Sequence, residues 1–349
     1  MKKILIGVFF VSSFISSMDL SVSTNNKDLI FNSFESLLGK IESYQCVGDV
    51  KRSLLSNKPY VYIVNKKKYV VQCFLGGKSN RAVVVSNNYF VAQKNIAPKI
   101  HKSLHAPEFS YIIMDYINVP SLTLDQASQP EILSLIAHKS KQIAQFDAVI
   151  CNPIRPNLSD EIVDFCQDLK NKNFLGLNTI VATLKSSADA IDNKIQKYKR
   201  PLVINHNDFS LRNIFYTGND IKIIDWNTIA LNYQYCDLAL YSLLSCLNEK
   251  EDNHLLNKYL DNNVSSEDKK YFNRVKLLVK VCFILSCFKA ATSLAGISHD
   301  KLIGKFREYA RSFAEDAKKN ETADFFYGFG MSQLQEFNKE YSEFECDNL

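Results

Sequence analysis

The sequence of 349 residues lacks several features that would place it in a specialised class. It has no internal repeat and no low-complexity segment, and no basic block exceeds the three lysines Lys66 to Lys68. With 42 Lys and Arg against 37 Asp and Glu, the net charge is only +5, so a nucleic-acid partner is not indicated. A hydrophobic fraction of 46% excludes a disordered, collagenous or small disulfide-stapled chain, and the length favours two domains or one two-lobed domain.

Cysteine is present without a metal-binding or disulfide pattern. The nine cysteines are an odd number, and none forms a C-x-x-C pair. Several, among them Cys73, Cys282 and Cys287, lie in apolar stretches, where cysteine behaves as a small buried hydrophobe. The pattern favours unpaired thiols in a reducing compartment over a disulfide framework or a zinc site.

The N-terminus contains a short apolar run that follows Met1-Lys2-Lys3 and precedes the cleavage candidate Ser21-Val22-Ser23. The run is shorter than the ~20 residues of a membrane span, so no stable span is expected. Residues 1–25 are interpreted as a secretory signal-like segment or as a dispensable leader upstream of a start at Met18.

Residues 26–116 have the pattern of a small β-rich lobe. Strand-like segments at 60–64 and 69–74 flank a lysine-rich turn at 65–68, which predicts a hairpin. A helix is predicted over about 79–95 and is closed by the proline at 98. A buried strand is expected over 110–117.

Residues 117–349 are predicted to be mostly helical. Helices are expected over about 124–147, 158–171, 177–197, 236–248, 267–293 and 301–319. The acidic, aromatic-rich segment 336–345 is expected to be a partly frayed, solvated helix. The expected fold class is therefore α+β, with a small β-rich N-terminal lobe and a large helical C-terminal lobe.

One interruption of the helical lobe carries a chemical motif. An apolar strand over 201–205 leads into the pattern H-x-D-x-x-x-x-N, formed by His206, Asp208 and Asn213. An apolar strand at 214–216, a turn at 217–220 and a further apolar strand at 221–224 follow, and the last strand ends on Asp225. A hairpin of this form is expected to bring the two carboxylates and the amide to one point.

Two carboxylates and an amide at one point suit phosphoryl transfer. That reaction needs a carboxylate near the acceptor hydroxyl and metal ions that neutralise charge on the transferring group. Magnesium prefers hard oxygen ligands and keeps several waters, so an amide and one carboxylate suffice. Singly, an Asp or Asn in a loop is usually a turn residue, and the functional interpretation depends on the whole combination.

The segments 206–213 and 223–226 resemble those of the kinase-like phosphotransferases that act on small molecules, the superfamily of the aminoglycoside phosphotransferases. The chain is most similar to the choline/ethanolamine kinase family and its bacterial relatives, because the loop is H-N-D where the aminoglycoside branch usually has H-G-D. Residues 232–239, the nucleotide-loop motif at 55–60 and the spacing from Arg81 to Pro98 extend the match to about residues 30–320. The resemblance implies a protein kinase-like two-lobed fold.

The resemblance also implies roles for individual residues. Asp208 would be the catalytic base and His206 would orient its loop. Asn213 and Asp225 would hold magnesium, and Asp237 would brace the loop backbone.

For ATP, the resemblance implies contacts from Ser56 and Asn57 in the nucleotide loop, from Gln72 on a strand, and from Asp115 and Ile117 where the hinge meets adenine. The implied activity is ATP- and Mg-dependent phosphorylation of the hydroxyl of an amino alcohol, choline or ethanolamine. An aminoglycoside or thiamine is an alternative acceptor. A cytoplasmic location is favoured, with export through the N-terminal segment as the alternative.

The acceptor would be bound by Asp208 and by the aromatic faces of Trp226, Tyr233 and Tyr235. Aromatic faces hold quaternary ammonium groups by cation–π attraction, and tryptophan is the best of them. This chain has one tryptophan, and the position after it is Asn227, where the family usually has an acid.

The first lobe departs from the family pattern. Ser53-Leu54 replaces the adjacent glycines that let backbone N–H groups approach phosphates. Gln72 replaces the cation for the α- and β-phosphates, and Val84 replaces its glutamate partner, so the double loss leaves no buried charge unpaired. Three alternatives follow: weak nucleotide binding, compensation by Lys58 or Lys78, or a pseudokinase-like binding protein.

Overall fold

The computed structural model describes residues 24–49, 59–74, 78–105, 109–147, 158–172, 177–294, 306–315 and 322–346. Almost all of the signal-like segment, the loop with Ser53-Leu54 and the candidate residues Ser56 and Asn57 lie outside the described residues. The described chain forms two compact units, residues 24–120 with 222–227, and residues 121–221 with 228–346. In this part of the chain, no helix combines the length and the apolar character that crossing a bilayer requires.

The first unit is built on an antiparallel sheet of five strands. They are β1 (Tyr44–Asp49), β2 (Pro59–Val64), β3 (Lys67–Phe74), β4 (Ile100–His105) and β5 (Ser110–Asp115), in the spatial order β1-β2-β3-β5-β4. Helix α1 (Thr24–Leu38) inserts Phe34 into a cluster with Ile113, and helix α2 (Lys78–Gln93) inserts Val85 into a cluster with Ile112. Because successive strand residues point to opposite faces, the two helices cover the two faces of the sheet, and β5 is therefore apolar through most of its length.

The predicted hairpin is confirmed as β2 and β3, with a shorter turn than expected. Val64 pairs with Lys67, so the turn consists only of Asn65 and Lys66, whose φ angles are +48° and +66°. Two consecutive positive φ angles are typical of the two-residue turns that match strand twist. The expected turn over 65–68 was therefore too long, since Lys67 and Lys68 already belong to β3.

A short segment after β8 (Ile221–Ile223) belongs to the first unit. The main-chain N–H of Ile223 donates to the carbonyl of Ile96 at 2.9 Å, and Nζ of Lys222 donates to the carbonyl of Asn95 at 2.7 Å. These bonds attach the chain that carries Asp225 to the connection between α2 and β4.

The second unit is mainly helical. Its helices are α3 (Leu124–Ala127), α4 (Pro130–Ala144), α5 (Leu158–Lys172), α6 (Asn178–Gln196), α7 (Cys236–Leu244), α8 (Glu249–Tyr259), α9 (Ser266–Ser293), α10 (Phe306–Glu315) and α11 (Ala323–Cys346). The predicted helix over 124–147 is split, because Pro130 starts a new helix at its N1 position. Helix α9 is buried almost continuously from Leu277 to Ala291 and packs against α5, α6, α7 and α11.

Short strands interrupt the helices where the motif lies. Strand β6 (Val203–Asn205) pairs with β9 (Ala230–Asn232), and β7 (Ile214–Tyr216) pairs with β8. The predicted strands at 201–205 and 221–224 are confirmed as β6 and β8, each shorter than expected, and the hairpin that leads to Asp225 is formed by β7 and β8. The fold class is α+β, as predicted.

The expected helix over 336–345 is confirmed and most of its residues are exposed, but the prediction that it is partly frayed is wrong. Helix α11 continues to Cys346, and its Phe337 is only 1% exposed. Glu340 forms an ion pair with the buried Lys280, and Nζ of Lys194 lies 3.8 Å from the ring centroid of Phe344. The aromatic residues of this segment recur at helical spacing and form one packed face of the helix. The acidic residues alone do not indicate this face.

Candidate active site

A buried carboxylate fixes the main chain of the loop that follows β6. Asp237, 1% exposed at the start of α7, accepts hydrogen bonds from the N–H groups of His206 at 2.7 Å and Asn207 at 2.9 Å. Hydrogen bonds to an ionised carboxylate are stronger than neutral ones, and the N-terminus of a helix favours the negative charge. The loop therefore has a defined backbone conformation next to Asp208.

Asp208 and Asn213 are brought together on this loop. Nδ2 of Asn213 donates to Oδ2 of Asp208 at 2.9 Å and to the Asp208 carbonyl at 3.0 Å. A single 3-10 turn over Leu211–Asn213 closes the five-residue spacing. Asn213 is buried, whereas Asp208 is half-buried.

His206 is fully buried and contacts the Asp208 backbone. Its Nδ1 accepts a hydrogen bond from the Asp208 N–H at 3.2 Å, which is the contact of a neutral ring. Its own carbonyl accepts from Oγ1 of Thr228 at 2.7 Å. These contacts support a role in orienting the loop.

Asp225 lies in the segment that belongs to the first unit. Its φ of +65° is uncommon for a residue other than glycine, and such conformations cluster at functional sites. Nδ2 of Asn227 donates to its Oδ1 at 2.5 Å. The Asn227 side chain thus supports the carboxylate instead of adding a second negative charge.

The two residues that the resemblance assigns to magnesium each offer an oxygen ligand within their own unit. In the second unit, Nδ2 of Asn213 is bonded to Asp208, which leaves its amide oxygen as the possible ligand atom. In the first unit, Asp225 offers carboxylate oxygens. Both are hard ligands of the kind that magnesium prefers. Among the described residues, no group of three or more His, Cys, Asp or Glu side chains forms a metal cluster.

The aromatic candidates for acceptor binding lie in the protein core. Trp226 is 0% exposed and its indole N–H donates to the Ile223 carbonyl at 2.9 Å. Tyr233 is 4% exposed, and its hydroxyl bonds to Asp192 and to Nε2 of Gln196. These contacts support packing roles for both rings.

Tyr235 is already paired with a cation of the chain. The Arg200 guanidinium lies 5.8 Å from the Tyr235 ring centroid and 4.6 Å from that of Tyr271, and it forms an ion pair with Asp268 at 2.8 Å. A guanidinium within about 6 Å of aromatic rings makes cation–π contacts. This cluster links the chain before β6 to helix α9. Because the Tyr235 ring already contacts a cation of the chain, Tyr235 is not favoured as an acceptor ligand.

The Arg200 cluster predicts a pH dependence of stability. Burial alone would raise the pKa of Asp268, but hydrogen bonds from Ser265 and the charge of Arg200 lower it to about 2. Because this value lies below the unfolded value of about 3.9, the ionised carboxylate contributes stability that is present above that pH and lost as the pH falls through the folded pKa. We expect Asp268→Asn to lower the Tm near neutral pH and to reduce the loss of Tm on acidification. The exposed Asp189→Asn is the control for this series. If the Tm of Asp268→Asn fell on acidification in parallel with that of the parent, the assignment of this pH dependence to Asp268 would be contradicted.

Of the candidate nucleotide contacts, Gln72, Asp115 and Ile117 are described, and the Asp115 side chain is engaged elsewhere. Its Oδ1 bonds to Nε2 of His101 at 2.8 Å and to Nζ of Lys67 at 3.1 Å. Burial alone would raise its pKa, but these two partners outweigh burial and lower it. A nucleotide contact at the end of β5 would therefore come from the main chain of 115–117.

The positions that replace the family's ion pair fit their surroundings. Gln72 lies in the middle of the sheet, paired with Pro59 on β2 and Ile112 on β5. Val84 packs against the apolar cluster that contains Ile112 and Met114. A glutamate at position 84 would lie against this apolar cluster without the cation that the strand no longer supplies.

Sequence reasoning missed the buried amide residues around the loop. Asn207 and Asn232 are each 1% exposed and bond to each other at 2.9 Å. The only local signal was the asparagine of the H-N-D motif, since its partner lies 25 residues away in the sequence.

Comparisons with known proteins give a family match and several structural neighbours. The family model of choline/ethanolamine kinases matches residues 61–281. Ethanolamine kinase of Plasmodium vivax is similar in structure with a TM-score of 0.61 and 16% identity, over 89% of this chain and 84% of that one. A choline/ethanolamine kinase family protein of Mesorhizobium loti gives 0.58 and 17%, over 88% and 99%. A spectinomycin phosphotransferase solved with ADP and spectinomycin gives 0.53 and 13%, over 88% and 98%.

Comparison with curated protein sequences gives no match. The solved structures show a shared fold, and the family model covers more than half of the sequence. The chain belongs to the choline/ethanolamine kinase family.

Proposed function

We propose that this chain is a kinase that transfers the γ-phosphoryl group of ATP to the hydroxyl of a small amino alcohol, choline or ethanolamine. The observation that carries the proposal is the Asp208–Asn213 pair on a loop clamped by Asp237. Membership of the choline/ethanolamine kinase family supports the same reaction class.

In this mechanism the Asp208 carboxylate accepts or orients the proton of the acceptor hydroxyl. The hydroxyl oxygen then forms a bond to the γ-phosphorus while the bond to the ADP oxygen breaks. Asn213 holds the Asp208 carboxylate through Nδ2, which fixes the direction of its remaining lone pairs. Asn213, through its amide oxygen, and Asp225, through its carboxylate, are the residues that would hold magnesium, which would neutralise charge on the phosphates.

A second candidate is a pseudokinase-like binding protein. Its support is the replacement of the phosphate-binding cation by Gln72 and of its partner by Val84, which is half-buried and packs against an apolar cluster. A neutral amide brings no charge toward a triphosphate, so nucleotide affinity is expected to be weak.

The acceptor is the least constrained part of the proposal. Because Trp226, Tyr233 and Tyr235 are buried with partners of their own, a cation–π cage made from them is not supported. Thiamine or an aminoglycoside therefore remains in the set of acceptors to be compared. We also propose a cytoplasmic location, where ATP is available; N-terminal sequencing of the native protein distinguishes it from export through residues 1–25.

Calorimetry with ATP and Mg²⁺, followed by ADP release with choline, ethanolamine, thiamine and an aminoglycoside, separates the two candidates. The kinase proposal predicts binding and ADP release that depends on one class of acceptor. Binding of ATP without acceptor-dependent ADP release favours the pseudokinase. Absence of both would contradict the kinase proposal.

A further inference from the structure

Asn207, between His206 and Asp208, has a side chain to which the proposed chemistry gives no role. It is 1% exposed and its φ is +63°, a conformation that asparagine tolerates better than most residues. Glycine would meet the same backbone requirement without steric cost. The backbone conformation alone therefore does not account for an amide at this position.

The Asn207 amide is fully hydrogen-bonded. Nδ2 donates to the carbonyls of Asn205 at 3.1 Å and Thr228 at 3.0 Å, with a longer contact to the carbonyl of Ala230 at 3.4 Å. Oδ1 accepts from Nδ2 of Asn232 at 2.9 Å. Since a buried polar network rigidifies a structure only when its members are satisfied, this side chain is a fixed part of the loop.

Asn232 determines the orientation of that amide. It is 1% exposed at the end of β9, and its Oδ1 accepts from the N–H of Tyr233 at 2.9 Å and of Leu158 at 3.3 Å. With its oxygen held by two main-chain donors, its nitrogen faces Oδ1 of Asn207. The Asn207 nitrogen is thereby directed at the carbonyls of the loop and of the chain near β9.

Two of these bonds fasten the loop to Thr228, three residues after Asp225 in the sequence. Asn207 donates to the Thr228 carbonyl, and the Thr228 hydroxyl donates to the His206 carbonyl at 2.7 Å. The main chain at His206 and the side chain of Asn207 are thus both held by Thr228.

We propose that Asn207 is a positioning residue whose amide, oriented by Asn232, holds the loop so that the Asp208 carboxylate stays in reactive geometry. The proposal rests on the proposed kinase function. A displacement of about 1 Å in a positioned group costs about 100-fold in rate, so loss of the amide has a kinetic consequence even when the fold survives.

Asn207→Gly is the first test, because glycine keeps the positive φ and removes only the amide. We expect kcat to fall about 100-fold while KM for ATP and for the acceptor stays within about twofold, since the amide faces protein carbonyls. Asn262→Gly is the matched control, because Asn262 also has a positive φ, +65°, and is exposed outside this network. That variant is expected to keep the parental kcat.

Asn207→Asp tests the hydrogen-bond polarity without changing the shape. An ionised carboxylate cannot donate to the two carbonyls, whereas the protonated acid can donate to one of them. Burial raises the pKa of such a carboxyl, so the ratio of variant to parental kcat should increase as the pH is lowered from about 8 to about 6. A ratio that is constant with pH would contradict the proposed donor role.

Hydrogen exchange of the loop amides, measured without substrate, separates this proposal from the proposed function. We expect faster exchange over 206–213 in Asn207→Gly and parental exchange in Asn262→Gly. If the parent phosphorylates none of the acceptors, the kinase function fails and the exchange result alone decides whether Asn207 orders the loop. Parental loop exchange in Asn207→Gly, or parental kcat in an active enzyme, would overturn the positioning role.

Discussion

Asp208→Asn should lower kcat by about 1,000-fold and leave the fold intact. A positioned general base contributes on the order of 100-fold to 10,000-fold, and an amide of the same size cannot accept the hydroxyl proton. Asn213 reaches Asp208 through two hydrogen bonds, one of them to the main chain, so at least that bond survives the substitution. The measurement is steady-state kcat and KM with saturating ATP, together with the Tm of each protein.

The control for this prediction is Asp189→Asn, which changes an exposed carboxylate on α6 that pairs with Lys185 four residues earlier. It should have the parental kcat. A kcat for Asp208→Asn close to that of the parent would show, for any acceptor, that Asp208 is not the catalytic base.

Asp237→Ala should reduce the free energy of unfolding by about 3–5 kcal/mol, a large share of the 5–15 kcal/mol typical of a domain. The substitution leaves the buried N–H groups of His206 and Asn207 without their acceptor, and each such group costs about 1–3 kcal/mol. Urea unfolding monitored by circular dichroism measures the difference.

Asp189→Ala is the matched control for the stability series, and we expect its unfolding free energy to lie within about 0.5 kcal/mol of the parent because exposed pairs contribute little. If Asp237→Ala proved equally mild, the loop backbone would not depend on this carboxylate. Activity should fall together with stability, since the same bonds hold the chain next to Asp208.

Local patterns in the sequence were sufficient for much of the fold. The β2–β3 hairpin has alternating strands and a polar turn, and α9 has a long apolar pattern, so both were predictable. Strand β4 was missed because Ile100–His105 alternates apolar residues with His, Lys and Ser on a sheet edge and lacks a continuous apolar run. Helix α8 was missed although its capping box, Asn248 and Glu251, stands in the sequence.

The same division between local and distant contacts applies to the site. Asp208 and Asn213 could be paired from the sequence because they are five residues apart and one 3-10 turn joins them. The cation–π contact between Arg200 and the Tyr235 ring depends on residues brought together from distant parts of the chain, and no short motif encodes it. Acceptor residues inferred from aromatic type alone were for this reason the least secure part of the prediction.

Phosphorus NMR of the protein with ATP, Mg²⁺ and either ethanolamine or choline tests the central claim most directly. A kinase whose loop carries Asp208 as base should produce a new phosphomonoester signal and an equal amount of ADP, and Asp208→Asn should produce neither over the same time. An unchanged ATP spectrum, or release of orthophosphate alone with every acceptor, would contradict it.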